Sequence, residues 1–258
     1  NHKTHEKNKH LEGLLQAGRD LKRNVRMTAK EWDLLSVSFH SKVVLFVRHG
    51  QGFHNVAAAE SPYKCDCKEN GGKCPYLDEK LTDPELTEIG IRQAKRLAKI
   101  SAGLTRQPEL VIVSPLRRAI QTALLAFPHL VSKVPWIADW KARERSGRHM
   151  CDKRRKLSEI QKDFPMIDFS LIENEQDDMF DPEQREPDLQ LLHRAHNLLV
   201  ELGSRPERTI VIVTHSTWLL SVFQCVLDIS DSDFKRWFAT GEMRLAEVNW
   251  EVDDEEDV

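Results

Sequence analysis

Three short apolar runs constrain this chain more than anything else in it: KVVLFV at 42–47, ELVIV at 109–113 and TIVIVT at 209–214. Each is rich in β-branched residues and continuous rather than alternating, the pattern of strands covered on both faces. Helical periodicity fills the stretches between them. Thr87 is placed to cap a helix carrying Ile91, Ala94, Leu97 and Ala98 and closed by Gly103. Leu189, Leu192, His196, Leu199 and Val200 form a second stripe before Gly203. A mostly parallel sheet with helices on both sides follows, an α/β class. The weaker run EMRLAEVNWEV at 242–252 alternates and is expected as an edge strand, and the Pro-rich, acidic segment 173–188 as a long connection.

With 258 residues, 40% of them hydrophobic, the chain can build one large core, and no internal repeat suggests a second domain. Leu11, Leu14, Leu15, Leu21 and Val25 recur at largely helical spacing among basic residues. Residues 1–40 are therefore expected as an N-terminal helical extension packed on the side of a domain spanning 41–252. Residues 253–258 are expected as an acidic tail.

Lys and Arg number 38 against 41 Asp and Glu, a net charge of -3, so bulk electrostatics predicts neither a nucleic-acid binder nor a membrane-surface protein. Basic residues concentrate at 141–156, but no aromatics interleave with them as stacking platforms, and no apolar run reaches the roughly 20 residues of a membrane span. Individually, these basic residues read first as a solvated face and second as contacts for another anionic group of a ligand. Five cysteines in a chain this long favour a reducing, cytoplasmic setting over a disulfide framework. Cys65, Cys67 and Cys74 cluster in YKCDCKENGGKCPY, where zinc or a disulfide is conceivable. No fourth ligand is evident, and the segment reads as a surface excursion.

In open parallel sheets, ligands bind beyond the carboxyl ends of the strands. After the first run come Arg48, His49 and Gly50; after the second, Ser114 to Arg118; after the third, His215 and Ser216. A histidine at one strand end is commonly structural, yet two histidines and arginines at three strand ends point to one rim. Guanidinium forks and the N–H groups of the following helices both suit phosphate oxygens, and Gly50 would let the backbone turn closely round the anion. Nearby arginines would also disfavour imidazolium and keep His49 unprotonated.

The motifs RHG, LTEIGIRQA, SPLRRAIQTA and VTHS, in this order, resemble those of the histidine phosphatase superfamily, the phosphoglycerate-mutase-like group, across roughly residues 42–250. The resemblance implies a three-layer αβα sandwich and a phosphohistidine mechanism with no metal and no cofactor. It implies His49 as nucleophile and His215 as its partner, with Arg48 and Arg118 holding the phosphoryl group and Asn55 contacting phosphate. Glu144, in ARERSG, takes the place of the acid, with Asp139 and Asp152 as rivals. The implied activity is hydrolysis of a small soluble phosphomonoester, retained in the presence of chelator. A mutase is the nearest alternative, although the tryptophan segment after RHG and the LNER acid motif of cofactor-dependent mutases are missing. A catalytically silent domain that only binds a phosphorylated ligand is a more distant one. Substrate and oligomeric state are not legible.

Overall fold

The computed structural model of the protein describes residues 25–31, 41–63, 65 and 73–252. Seven strands occur among them: β1 (Val25–Glu31), β2 (Ser41–Arg48), β3 (Leu110–Val113), β4 (Trp136–Ala138), β5 (Thr209–Thr214), β6 (Leu227–Asp228) and β7 (Met243–Val252). They form one sheet in the order β4-β3-β5-β2-β7-β1-β6. Neighbours from β4 to β2 are parallel, β7 runs antiparallel to both β2 and β1, and β1 is parallel to β6. Six α-helices accompany the sheet: α1 (Phe53–Glu60), α2 (Glu88–Ala102), α3 (Arg117–Ala126), α4 (Leu157–Asp163), α5 (Asp188–Ser204) and α6 (Ser216–Ser221).

The continuous apolar runs are explained by two cores, one on each face. Val44, Phe46, Leu110, Ile112, Ile210 and Ile212 point into a core completed by α5 and α6. Their neighbours Val43, Leu45, Val47, Val111, Val113, Val211 and Val213 point into a second core with Ala119 and Ala123 of α3, Leu97 of α2 and Ile160 of α4. Burying each such side chain stabilises the fold by about 1.5–3 kcal/mol, which makes these strands the fixed frame of the molecule. The result is the expected three-layer αβα sandwich.

Three expectations are corrected. β7 is not an edge strand: it lies between β2 and β1, and two of its polar residues, Arg244 and Glu247, are buried and paired. Glu247 accepts from Ser41 Oγ at 2.6 Å and faces Lys30 Nζ at 3.1 Å, while Arg244 donates to the Phe234 and Arg236 carbonyls. Residues 25–31 of the expected helical extension are a strand of the main sheet, because β7 offers them a full antiparallel ladder. The rest of that extension, apart from Ser41 onward, and the acidic tail lie outside the described residues. Gly203 does not close α5, which runs through Ser204 to an Arg205 cap, and Leu189 is exposed while Leu191, Ala195 and Leu198 face the core. By contrast, α2 starts as its sequence suggests, with Thr87 Oγ1 accepting from the Gly90 amide at 3.1 Å, and stops at Gly103.

Candidate active site

Strand register brings the two histidines together. Arg48, the last residue of β2, pairs with Thr214, the last of β5, so His49 and His215 leave the sheet side by side. The His49 amide donates to the Thr214 carbonyl at 3.0 Å, and the ring centroids lie 5.0 Å apart at 57°. On the other side of β5, the Ser114 amide donates to the Val213 carbonyl, which sets the Ser114 hydroxyl 2.7 Å from His215 Nε2. β5, inserted between β2 and β3, thus assembles a rim from three strand ends.

His49 is buried, and its Nδ1 lies 2.6 Å from the Gly50 carbonyl. A carbonyl only accepts, so Nδ1 carries the proton and Nε2 keeps the lone pair. Burial first, then the charges of Arg118 and Arg48, hold the ring's pKa well below its ordinary value. His215 is shifted in the same direction by burial and by Arg118. Ser114 Oγ also accepts the Leu116 amide at 3.4 Å, and a hydroxyl that donates to His215 Nε2 leaves the His215 proton on Nδ1.

The two arginines are fixed differently. Arg48 donates to the Phe238 carbonyl at 2.7 Å and lies over the Trp237 ring; burial lowers its pKa to about 10, against the charge of Glu144, so it stays cationic. Arg118, almost fully buried, donates to the Cys151 carbonyl and to Asp152 Oδ1 at 2.9 Å, and Asp152 Oδ2 in turn accepts from Arg185 at 2.9 Å. Burial alone would raise the Asp152 pKa; Arg185 and Arg118 overcome it and hold the carboxyl below its usual range. Asp152 is therefore an anchor for Arg118. Asp139 accepts the Lys141 amide and sits at 2% exposure, capping a short turn.

Glu144 takes the N-terminus of α6. Its carboxylate accepts the Thr217 amide at 3.1 Å, the Trp218 amide at 3.3 Å and the Ser216 hydroxyl at 3.1 Å, immediately after His215. The other two helix starts are also served by protein acceptors: Asp83 Oδ1 takes the Arg117 amide at 2.8 Å, and Asn55 Oδ1 takes the Gly52 amide at 2.9 Å. Side chains thus take some of the N–H groups at these helix N-termini, which narrows the set that could meet an anion. Asn55 uses its oxygen for the cap, leaving its amide nitrogen as the group able to reach a ligand.

Gly50 is corrected as well. It is not among the glycines with positive φ, and its amide donates to Thr122 Oγ1 at 3.0 Å. A Cβ there would stand 2.6 Å from the Gly90 carbonyl oxygen, and one on Gly90 would stand 2.1 Å from that of Gln51. The glycines of RHG and TEIG exist for each other: they let α2 press against the segment that carries His49.

His54 was not singled out by the sequence. It is buried in the first turns of α1, its ring 5.5 Å from that of His49, and burial and Arg118 lower its pKa well below normal. A second histidine five residues beyond His49 was the available signal. Around His49, the buried nitrogens Arg48 Nε, Arg118 Nε, His54 Nδ1 and His215 Nδ1 make no hydrogen bond. Of the basic residues at 141–156, Arg143 is clamped by Asp177 at 2.6 Å through both amino groups and Arg154 by the Asn174 and Gln176 carbonyls, so these two serve the protein itself. One side-chain group suited to a metal, Cys65, Cys74 and His149, lies among the described residues outside this cluster. No described helix is long and apolar enough to cross a membrane.

A family model described as the histidine phosphatase superfamily (branch 1) matches residues 72–256. Phosphoglycerate mutase-like protein 1 of Arabidopsis thaliana is 34% identical over 235 residues, covering 79% of each chain. A probable phosphatase of Schizosaccharomyces pombe is 26% identical over 74% of this chain and 81% of its own. Among solved structures, the alpha-ribazole phosphatase of Shigella flexneri superposes with a TM-score of 0.51 at 18% identity, over 81% of this chain and 95% of that one. A mycobacterial glucosyl-3-phosphoglycerate phosphatase in complex with VO3 gives 0.50 at 22%, over 82% and 97%.

Proposed function

Since this chain belongs to the histidine phosphatase superfamily, we propose that it hydrolyses a small phosphomonoester through a phosphohistidine on His49. One observation carries the reading: beside the neutral His49 imidazole, the buried Nε atoms of Arg48 and Arg118 make no hydrogen bond. Leaving such donors unsatisfied costs about 1–3 kcal/mol each, and a phosphoryl group satisfies them together.

In this mechanism, His49 Nε2 attacks phosphorus while the ester P–O bond breaks, and Arg48, Arg118 and His215 Nδ1–H take up the charge on the equatorial oxygens. Glu144 takes the proton that a monoanionic phosphoester brings, passes it to the departing alkoxide and then accepts a proton from the water that releases phosphate from His49. To do so, its carboxylate must give up hydrogen bonds at the start of α6, and substrate binding supplies the competing partner. His54 adds a further donor through Nδ1, and Asn55 through its amide. The chemistry runs on these side chains without a metal and continues in chelator.

A brief pulse with a 32P-labelled aryl phosphate tests this. Acid-labile, alkali-stable label should appear on the wild-type chain and vanish in His49→Ala; an active preparation with no trapped label refutes the mechanism. Incubation with 3-phosphoglycerate and a trace of 2,3-bisphosphoglycerate should release inorganic phosphate. Rapid isomerisation instead would assign the mutase reaction, and binding without turnover a silent domain.

A further inference from the structure

The segment preceding α2 carries a second constellation that the phosphohistidine chemistry does not use. Cys65, Cys74 and His149 come from distant parts of the chain, yet one ligand atom from each lies within 4.8 Å of the others. His149 Nε2 is 3.2 Å from Cys65 Sγ and 4.0 Å from Cys74 Sγ. Tetrahedral zinc with bonds of about 2.3 Å to sulfur and 2.0 Å to nitrogen separates its sulfur and nitrogen ligands by about 3.5 Å, which lies between those two values. Cys74 is buried and begins the turn Pro75–Leu77; Tyr76 from that turn stacks on the His149 ring at 4.9 Å. Cys67 lies outside the described residues.

The second nitrogen of His149, Nδ1, lies 3.8 Å from Asp152 Oδ2, beyond hydrogen-bond distance but near enough for the carboxylate's charge to act on the ring. A carboxylate behind the free nitrogen of an imidazole is the usual support of a metal-bound histidine, fixing ring orientation and raising ligand basicity. Two sulfurs and one imidazole form a soft donor set that selects zinc over magnesium or calcium.

We propose that Cys65, Cys74 and His149 bind one zinc ion that pins the 61–75 excursion to the loop carrying His149 and Asp152. With three protein ligands the ion keeps a fourth position for water, and its influence on catalysis runs through position: His149 lies beside Asp152, and Asp152 holds Arg118. This proposal is independent of the phosphohistidine reading, since it concerns different atoms and a different measurement.

The full-length chain, purified under reducing conditions and freed of loosely held metal, should retain about one zinc per chain by elemental analysis. Stripped protein titrated with Co2+ should develop thiolate-to-cobalt charge-transfer bands that saturate near one equivalent. Cys74→Ser and His149→Gln should each lower zinc affinity by at least about tenfold, while His129→Ala leaves it unchanged. Stripping zinc should lower Tm by about 5 °C or more without abolishing the trapping of phosphate on His49. The proposal is overturned if the wild-type chain takes up neither zinc nor cobalt at micromolar concentration. It is equally overturned if the charge-transfer bands persist in Cys74→Ser, or if mass mapping finds Cys65 and Cys74 joined as a disulfide in the reduced preparation. The wild-type titration decides the matter even where a variant fails to fold.

Discussion

Replacing His54 by asparagine should make the fold less sensitive to acid, by an amount that follows from proton linkage. In the folded protein His54 is 5% exposed and its pKa is depressed by burial, then by the charges of Arg118, His49 and Arg48. In the unfolded chain the same ring titrates near about 6.5. A group depressed on folding contributes stability that is fully present above its unfolded pKa and is lost as pH falls towards the folded one, because the unfolded chain takes up the proton first. Between pH 7.5 and 5.5 the unfolded ring goes from about one-tenth to about nine-tenths protonated. For as long as the folded ring stays neutral, this costs about 1.4 kcal/mol. Asparagine does not titrate. In urea unfolding, His54→Asn should be less stable than wild type at pH 7.5, and the gap should close by about 1.4 kcal/mol at pH 5.5. Asp83 and Asp139, which burial shifts upward with the opposite sign, act equally in both proteins and cancel. A gap that stays constant across this range would refute the claim that the ring is neutral in the fold. His49 and His215 are depressed in the same way, so the three rings together should remove about 4 kcal/mol from the wild type over that interval, a large part of a typical domain's stability.

Other changes have equally definite outcomes. Gly90→Ala, which would gain up to about 1 kcal/mol in a free helix, should instead destabilise the protein by about 3 kcal/mol in urea unfolding, because its Cβ meets the Gln51 carbonyl. Ser114→Ala removes the partner of His215 Nε2 and should lower kcat about tenfold with KM little changed; an equal rise in KM would place the effect in ground-state binding. Asp152→Asn leaves Arg118 and Arg185 without their shared charge and should cut kcat/KM for an aryl phosphate by about tenfold or more, with a fall in Tm. Glu144→Gln should slow turnover of an alkyl phosphate far more than that of an aryl phosphate with a good leaving group; equal losses would remove it from the proton-transfer role.

The sequence was readable where burial is symmetric. The runs in β2, β3 and β5 are apolar throughout because both faces meet helices, and their carboxyl ends named Arg48, His49, Ser114, Arg118 and His215 directly. β7 misled because alternation of polar and apolar residues was taken as alternation of water and core, whereas Arg244 and Glu247 are buried and neutralised by partners far away in the chain. β1 carries too few apolar residues to announce a strand, and it is held by its ladder to β7. Gly50 looked like turn chemistry, and only the contact between backbones shows that it forms a packing pair with Gly90. His149 could not be linked to the cysteines by spacing, since 84 residues separate it from Cys65. His54 was visible but unexceptional until the fold set its ring beside that of His49.

The place of β7 also governs how the protein must be made. β1 emerges from the ribosome before the other six strands, yet both strands it pairs with, β6 and β7, are the last two of the seven. Until residues 243–252 appear, β2 presents a bare hydrogen-bonding edge and β1 has nowhere to dock, although β2, β3, β4 and β5 already have one another. Nascent chains stalled before that point should therefore aggregate edge to edge, and chaperone demand should end abruptly once the last strand slots between its neighbours.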